Sequence, residues 1–196
     1  MRIVGGKLRG RRIRQPSGSP ARPTTERARE GVASALDARG ALADAYVLEL
    51  FAGTGALSFE ALSRGASAAL LVELDARMRR LIRRTAHELG LATLIRLLAL
   101  DLLGPADRVA ARIGAVAQRP FDLVFVDAPY ARQGSVAALL EALAAGKTLA
   151  SSATVVIEYS RRGSLKLVNF VTLASYRYGD TSVLFARPPG ASATKR

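Results

Sequence analysis

The stretch Val47-Leu-Glu-Leu-Phe-Ala-Gly-Thr-Gly-Ala-Leu-Ser58 carries an apolar run into a carboxylate, Glu49, and then into two glycines, Gly53 and Gly55. Glycine lets backbone approach a ligand closely, and a strand–glycine–helix junction is where open α/β sheets hold adenosine-bearing molecules. Glu73 ends the next apolar run, about 20 residues beyond the glycines, where an acid can accept hydrogen bonds from ribose hydroxyls. Asp75 is its weaker rival. Asp101 follows a third apolar run, where an acid can meet an adenine amino group or simply cap a helix. Phe51, Leu74 and Leu102 complete the candidate cofactor set.

A dinucleotide fingerprint wants Gly or Ala three positions after the second glycine; here Ser58 stands there, which disfavours a nicotinamide cofactor. A carboxylate at the strand end instead suits a cationic ligand. S-adenosylmethionine, with its sulfonium and ammonium, fits that description.

The segment Phe121-Asp-Leu-Val-Phe-Val-Asp-Ala-Pro-Tyr130 puts Asp127, Pro129 and Tyr130 at the tip of a further apolar run. An exocyclic amine is a poor nucleophile because its lone pair is delocalised. A carboxylate and a backbone carbonyl that accept its two N–H bonds can aim the lone pair at an electrophile. Tyr130 can stack on a base drawn out of its helix. The bland alternative is an Asp-x-Pro turn.

These groups need a scaffold, and the hydrophobic periodicity supplies one. Strands are expected at 46–51, 68–73, 93–99, 121–126 and 154–159, with helices at 25–40, 56–63, 76–89, 105–118 and 135–145 between and before them. Two last runs, 167–174 and 181–186, have no helix between them and should pair as an antiparallel hairpin. The expected fold is α/β: a Rossmann-like, mostly parallel seven-stranded sheet with one antiparallel edge strand, preceded by a small hairpin around Gly5–Gly10. The expected organisation is a basic hairpin and linker over 1–24, a catalytic domain over 25–190 and a frayed tail over 191–196.

The net charge is +13, and residues 1–30 hold nine Lys or Arg against two Glu. Such a surplus points to a polyanion, RNA or DNA. Arg2, Lys7, Arg9, Arg11, Arg12, Arg22 and Arg27 are candidate phosphate contacts. The arginines at 77, 79, 80, 83 and 84 read as solvated helix surface, and His87 as an exposed polar residue. Zero cysteines exclude disulfides and thiolate metal sites, and a single histidine leaves little for a metal. No apolar run nears the ~18 residues that span a membrane, and no secretory signal is visible. The expectation is a cytoplasmic monomer without metal.

The chain resembles the RsmD family, bacterial methyltransferases acting on a guanine N2 of 16S ribosomal RNA. The likeness lies in Arg2-Ile-Val-Gly-Gly-Lys-Leu-Arg-Gly-Arg11, Arg22-Pro-Thr-Thr-Glu-Arg-Ala-Arg-Glu30, Leu50-Phe-Ala-Gly-Thr-Gly-Ala-Leu57, Glu60-Ala-Leu-Ser-Arg-Gly-Ala66, the Asp127 loop and Tyr178-Gly-Asp-Thr181. It implies cofactor contacts from Glu49, Gly53–Gly55, Glu73 and Asp101, catalysis from Asp127 with Pro129 and Tyr130, and a target in a partly assembled small subunit. One departure stands out: the family's Asp-Pro-Pro-Tyr has Ala128 in place of its first proline. Three rivals remain: a methyltransferase for DNA adenine or protein glutamine, a non-catalytic RNA-binding assembly factor, and a nicotinamide dehydrogenase.

Overall fold

A computed structural model describes residues 1–16, 23–128, 133–160, 167–179 and 181–190, with the side chains of 23–27, 133 and 160 outside that description. The elements are α1 (Pro23–Asp37), β1 (Tyr46–Leu50), α2 (Ala56–Ser63), β2 (Ala68–Val72), α3 (Ala76–Glu88), β3 (Ile95–Leu98), α4 (Ala106–Gly114), β4 (Phe121–Asp127), α5 (Gln133–Ala145), β5 (Leu149–Ser160), β6 (Val171–Tyr178) and β7 (Thr181–Arg187). The seven strands form one sheet in the order β3-β2-β1-β4-β5-β7-β6. β1 to β5 pair in parallel, while β7 runs against both β5 and β6.

The continuous apolar strands are explained by burial on both faces. Alternate residues feed two cores. Leu48, Leu50, Val124, Val126, Val155 and Ile157 pack with Val109 and Ile113 of α4 and Leu139 and Leu143 of α5. Val47, Leu71, Leu123, Phe125 and Val156 pack with Val32 and Leu36 of α1, Phe59 of α2 and Ile82 of α3. By the same alternation Glu49, Asp127 and Glu158 all belong to the second face, the one beneath α1, α2 and α3.

The N-terminal segment turns back on itself and docks on α2. Residues 1–3 and 10–13 lie antiparallel: a bridge joins Arg2 and Arg12, and Ile3 N–H donates to the Arg11 carbonyl (3.0 Å), Gly10 N–H to the Ile3 carbonyl (2.8 Å) and Ile13 N–H to the Met1 carbonyl (3.0 Å). The same backbone also grips α2. Val4 N–H donates to Glu60 Oε2 (2.9 Å), Lys7 N–H to the Ser63 carbonyl (2.7 Å) and Leu8 N–H to Ser63 Oγ (2.9 Å), while Ser63 Oγ donates to the Gly5 carbonyl (2.6 Å). Ile3 and Ile13 are fully buried in the α1–α3 core.

Strand boundaries differ most at β5 and β6. β6 starts at Val171 rather than 167, because Val168 is 85% exposed and Asn169 is turned away to bond Glu141 of α5 through its backbone and side-chain N–H groups (3.1 and 2.9 Å). β5 starts earlier, at Leu149, with an irregular register against β4 between Phe121 and Leu123.

Candidate active site

In an open parallel sheet, ligands bind at the carboxyl ends of strands where the chain order reverses. Here that point lies between β1 and β4, which are hydrogen-bonded neighbours. A cleft of about 140 Å³ opens there, lined by Glu49, Phe51, Gly53, Thr54, Asp127 and Glu158 among others. A larger depression of about 820 Å³, lined by Arg39, Arg119 and Arg187 among others, lies at the opposite end of the sheet, by the starts of β1 and β4. It is far from these residues.

The glycine loop is shaped by backbone conformations that most residues avoid. Gly53 has φ +54° and Gly55 φ +74°. A methyl group added at Gly53 would meet nothing within 4 Å, so the loop presents open space there. One added at Gly55 would stand 2.7 Å from Leu71 Cδ2 and 3.3 Å from Phe59 Cε2, so this glycine lets the loop lie against the core. Phe51 is itself held at φ +57°, a strained conformation for a bulky residue and one that concentrates at functional loops.

Two acids hold this loop. Glu73 Oε2 accepts from Gly53 N–H (2.7 Å) and its Oε1 from Asp75 N–H (2.7 Å), tying the loop to the end of β2. Each oxygen retains a further acceptor site. Glu49 Oε2 accepts from Ser58 N–H (3.0 Å) in the first turn of α2. Gly55 has no side chain with which to cap that helix, so the strand carboxylate takes the role. Burial pushes the Glu49 carboxyl up to about 7; the Ser58 bonds oppose the rise and Asp127 adds to it.

Asp127 ends β4 with its Cα in register with Glu158 of β5. It faces the open cleft, yet protein surrounds it, and that desolvation raises its pKa. Glu158 is raised too, first by burial and then by the charge of Asp127, with Arg29 pulling the other way. Arg29 comes from α1, is 3% exposed, and donates to the Arg2 carbonyl (2.7 Å). Met1 and Arg29 form the cleft's outer wall.

The remaining candidates sit as follows. Leu74 is 60% exposed beside Glu73, and Leu102 is buried in the α4–α5 core. Asp101 is exposed and accepts from Leu103 N–H (2.9 Å), closing a turn; it caps no helix, since α4 begins after Pro105. Ala128 is 7% exposed and packs into the α4–α5 core. Pro129, Tyr130 and Arg22 lie outside the described residues, as does the side chain of Arg27. Arg2, Lys7, Arg9, Arg11 and Arg12 are exposed on the N-terminal segment. Arg2 donates to the Gly10 carbonyl (2.7 Å) and Arg11 to the Glu88 carbonyl (3.0 Å), so those two are partly engaged within the protein. His87 is exposed.

Sequence reasoning missed Glu158 and Arg29 as members of the site. Glu158 had a signal: like Glu49 and Asp127, it is an acid closing a buried apolar strand. Arg29 had none, being one arginine among many.

The strand order with its β1–β4 cleft, glycine loop and strand-end acids defines a class I methyltransferase. The chain belongs to the RsmD family: residues 1–187 match the family described as "conserved hypothetical protein 95". It is 35% identical to the ribosomal RNA small subunit methyltransferase D of Escherichia coli K12 over 170 residues, 86% of this chain and 79% of that protein. It is 28% identical to the "putative rRNA methyltransferase YlbH" of Bacillus subtilis, covering 97% of this chain and all of that one. Among solved structures it resembles the "putative methyltransferase yhhF" of Escherichia coli with a TM-score of 0.77 and 28% identity, over 97% of this chain and 98% of that one. The fold also resembles the magnesium protoporphyrin IX methyltransferase ChlM of Synechocystis, solved with bound S-adenosylmethionine (TM-score 0.59, 16% identity, 87% and 86% covered).

Proposed function

We propose that this chain transfers a methyl group from S-adenosylmethionine to the exocyclic N2 of a guanine in 16S ribosomal RNA. The coarser statement, a methyltransferase of small-subunit ribosomal RNA that uses S-adenosylmethionine, follows from the family to which the chain belongs. The observation that carries the finer reading is the shared cleft between the glycine loop and Asp127.

The residues present fit this cofactor. Gly53 leaves open space beside the loop, and Glu49, Asp127 and Glu158 give the cleft a negative lining suited to a cationic donor. Glu49 and the Gly53–Gly55 loop would hold the methionine part, and Glu73 and Asp101 the adenosine. When bound, S-adenosylmethionine supplies an electrophilic methyl group on its sulfonium.

Asp127 accepts an N–H bond from the incoming amine and orients its lone pair, work for which a fixed carboxylate at a strand tip is suited. Pro129 and Tyr130 follow it in sequence, with Tyr130 assigned to base stacking. The exposed Lys7, Arg9 and Arg12 would contact RNA phosphates, joined by Arg2, Arg11, Arg22 and Arg27. The substrate in this reading is a small-subunit assembly particle, the enzyme a cytoplasmic monomer. Among the described residues no helix is long and apolar enough to cross a membrane.

The test is transfer of labelled methyl to small-subunit particles or rRNA lacking the modification, with the modified base identified. Asp127→Ala is expected to lower transfer by roughly 10²-fold or more while S-adenosylmethionine still binds. Loss of cofactor binding as well would assign Asp127 a different role. The second reading rests on Ala128: an assembly factor of the same fold that binds the particle without methylating it. Tight particle binding with no transfer by the native chain would establish that reading instead.

A further inference from the structure

Resting on the methyltransferase reading, we infer that Asp127 and Glu158 act as one pair that receives the proton shed by the acceptor amine, with Glu158 as its reservoir. The site itself is defined by the glycine loop and the cleft. The pair concerns what must happen to charge inside it.

The chemistry poses the problem. Methyl transfer to an amine forms a C–N bond from the nitrogen lone pair, while the electrons of the broken S–C bond stay on sulfur. The nitrogen is left with one proton too many, and the donor's positive charge is gone. A group beside the amine that takes that proton keeps the net charge of the cleft unchanged through the reaction. Neutral amide or hydroxyl groups cannot do this; a carboxylate can.

The geometry supplies the acceptor. Asp127 and Glu158 are register partners at the ends of adjacent parallel strands, and both line the cleft. Both belong to the sheet face beneath α1 to α3. Two carboxylates this close do not ionise independently, and they titrate as a pair. The charged and titratable groups around them are few among the described residues. Glu49 lines the same cleft from β1, and Arg29 acts on Glu158 from α1. Met1 stands in the outer wall with its amino group donating to Gln15 Oε1 (2.8 Å). From β7 the register partner of Glu158 is Val183, and the α2 residues in the wall, Ala56 and Leu57, bring no charge. Burial and the charge of Asp127 favour the protonated form of Glu158, whereas a cation in the cleft favours the ionised pair. The donor's charge and the proton are therefore alternative occupants of the same electrostatic site.

S-adenosylhomocysteine tests this directly, because it keeps the ammonium, carboxylate and adenosine and lacks only the methyl group and, with it, the sulfonium charge. Each ligand is titrated calorimetrically into the full chain near pH 7 in two buffers of different ionisation heat, which counts protons. S-adenosylmethionine is expected to release more protons than S-adenosylhomocysteine. E158Q is expected to shrink that difference together with the preference for S-adenosylmethionine over S-adenosylhomocysteine, and in turnover to lower kcat and alter its pH profile. Glu49→Gln serves as the comparison, since Glu49 also lines the cleft. Equal proton counts for the two ligands in the native chain would overturn the inference. So would an E158Q protein with the native proton difference and the native pH profile. The comparison of ligands in the native chain needs no variant to fold. Failure of either ligand to bind would overturn the methyltransferase reading, and this role with it.

Discussion

Glu49 illustrates how much one residue can carry. It is buried, it caps α2 through Ser58, and burial lifts its carboxyl from 4.5 to about 7. Between those two values the folded protein holds a proton that the unfolded chain releases. The protonated folded state is favoured at the acid end, and stability falls as pH rises from about 4.5 through about 7, where it levels. The size is on the order of 3 kcal/mol. Glu49→Gln should reduce the dependence of Tm on pH over that window, leaving the part contributed by Glu158, also raised to about 7, and by Asp127. A native profile that rises across the window, or one unchanged by the substitution, would contradict this assignment. At this scale the sequence disclosed the groups that stand close together in it. Glu49, Gly53, Gly55 and Asp127 lie in short strand-to-loop stretches whose chemistry is local. That Glu73 grips the Gly53 N–H, and that Glu158 completes the carboxylate pair, depended on strand register, which no local pattern specifies.

Among the elements, the N-terminal segment has a packing role that its pattern alone did not disclose. Apolar–polar runs around glycines suggested a hairpin, and residues 1–3 do lie against 10–13; what the pattern did not disclose is that Ile3 and Ile13 bury themselves against α1 to α3. The glycines serve that docking. Gly6 sits at φ +74° directly on the Ser63 carbonyl, where a methyl group would overlap the backbone. Gly10 has a similar φ, +83°, with nothing within 4 Å. The pair separates strain from contact. Gly6→Ala should cost roughly 1–3 kcal/mol more than Gly10→Ala in chemical denaturation and should expose the segment to proteolysis. Equal effects would mean that the close approach to α2 contributes nothing. The regular βα repeats were legible because their apolar runs are long and bounded by glycines; α2 is observed over the expected residues. β6 was not, because Leu167 and Val168 look like strand while their surroundings turn the chain toward Glu141.

For the whole molecule the organising fact is charge. The cleft is lined with carboxylates, yet the chain carries +13 overall, and exposed basic side chains crowd the N-terminal segment that ends at the cleft wall. This separation suits a polyanion held outside with one base admitted to a negative pocket. Arg29 links the two regions, bonding the Arg2 carbonyl while acting on Glu158. Binding to RNA should therefore be dominated by counterion release. Replacing Lys7, Arg9 and Arg12 together with alanine should weaken RNA or particle binding and flatten the slope of log affinity against log salt by roughly 2 to 3. These side chains are exposed, and among the described residues their charged groups make no hydrogen bond, so Tm should change little. The measurement is binding at several salt concentrations beside a thermal melt in each. An unchanged slope with unchanged Tm would move the RNA surface elsewhere, the α3 arginines being the next basic face to test, whereas a drop in Tm would show that the segment's charges hold the fold together.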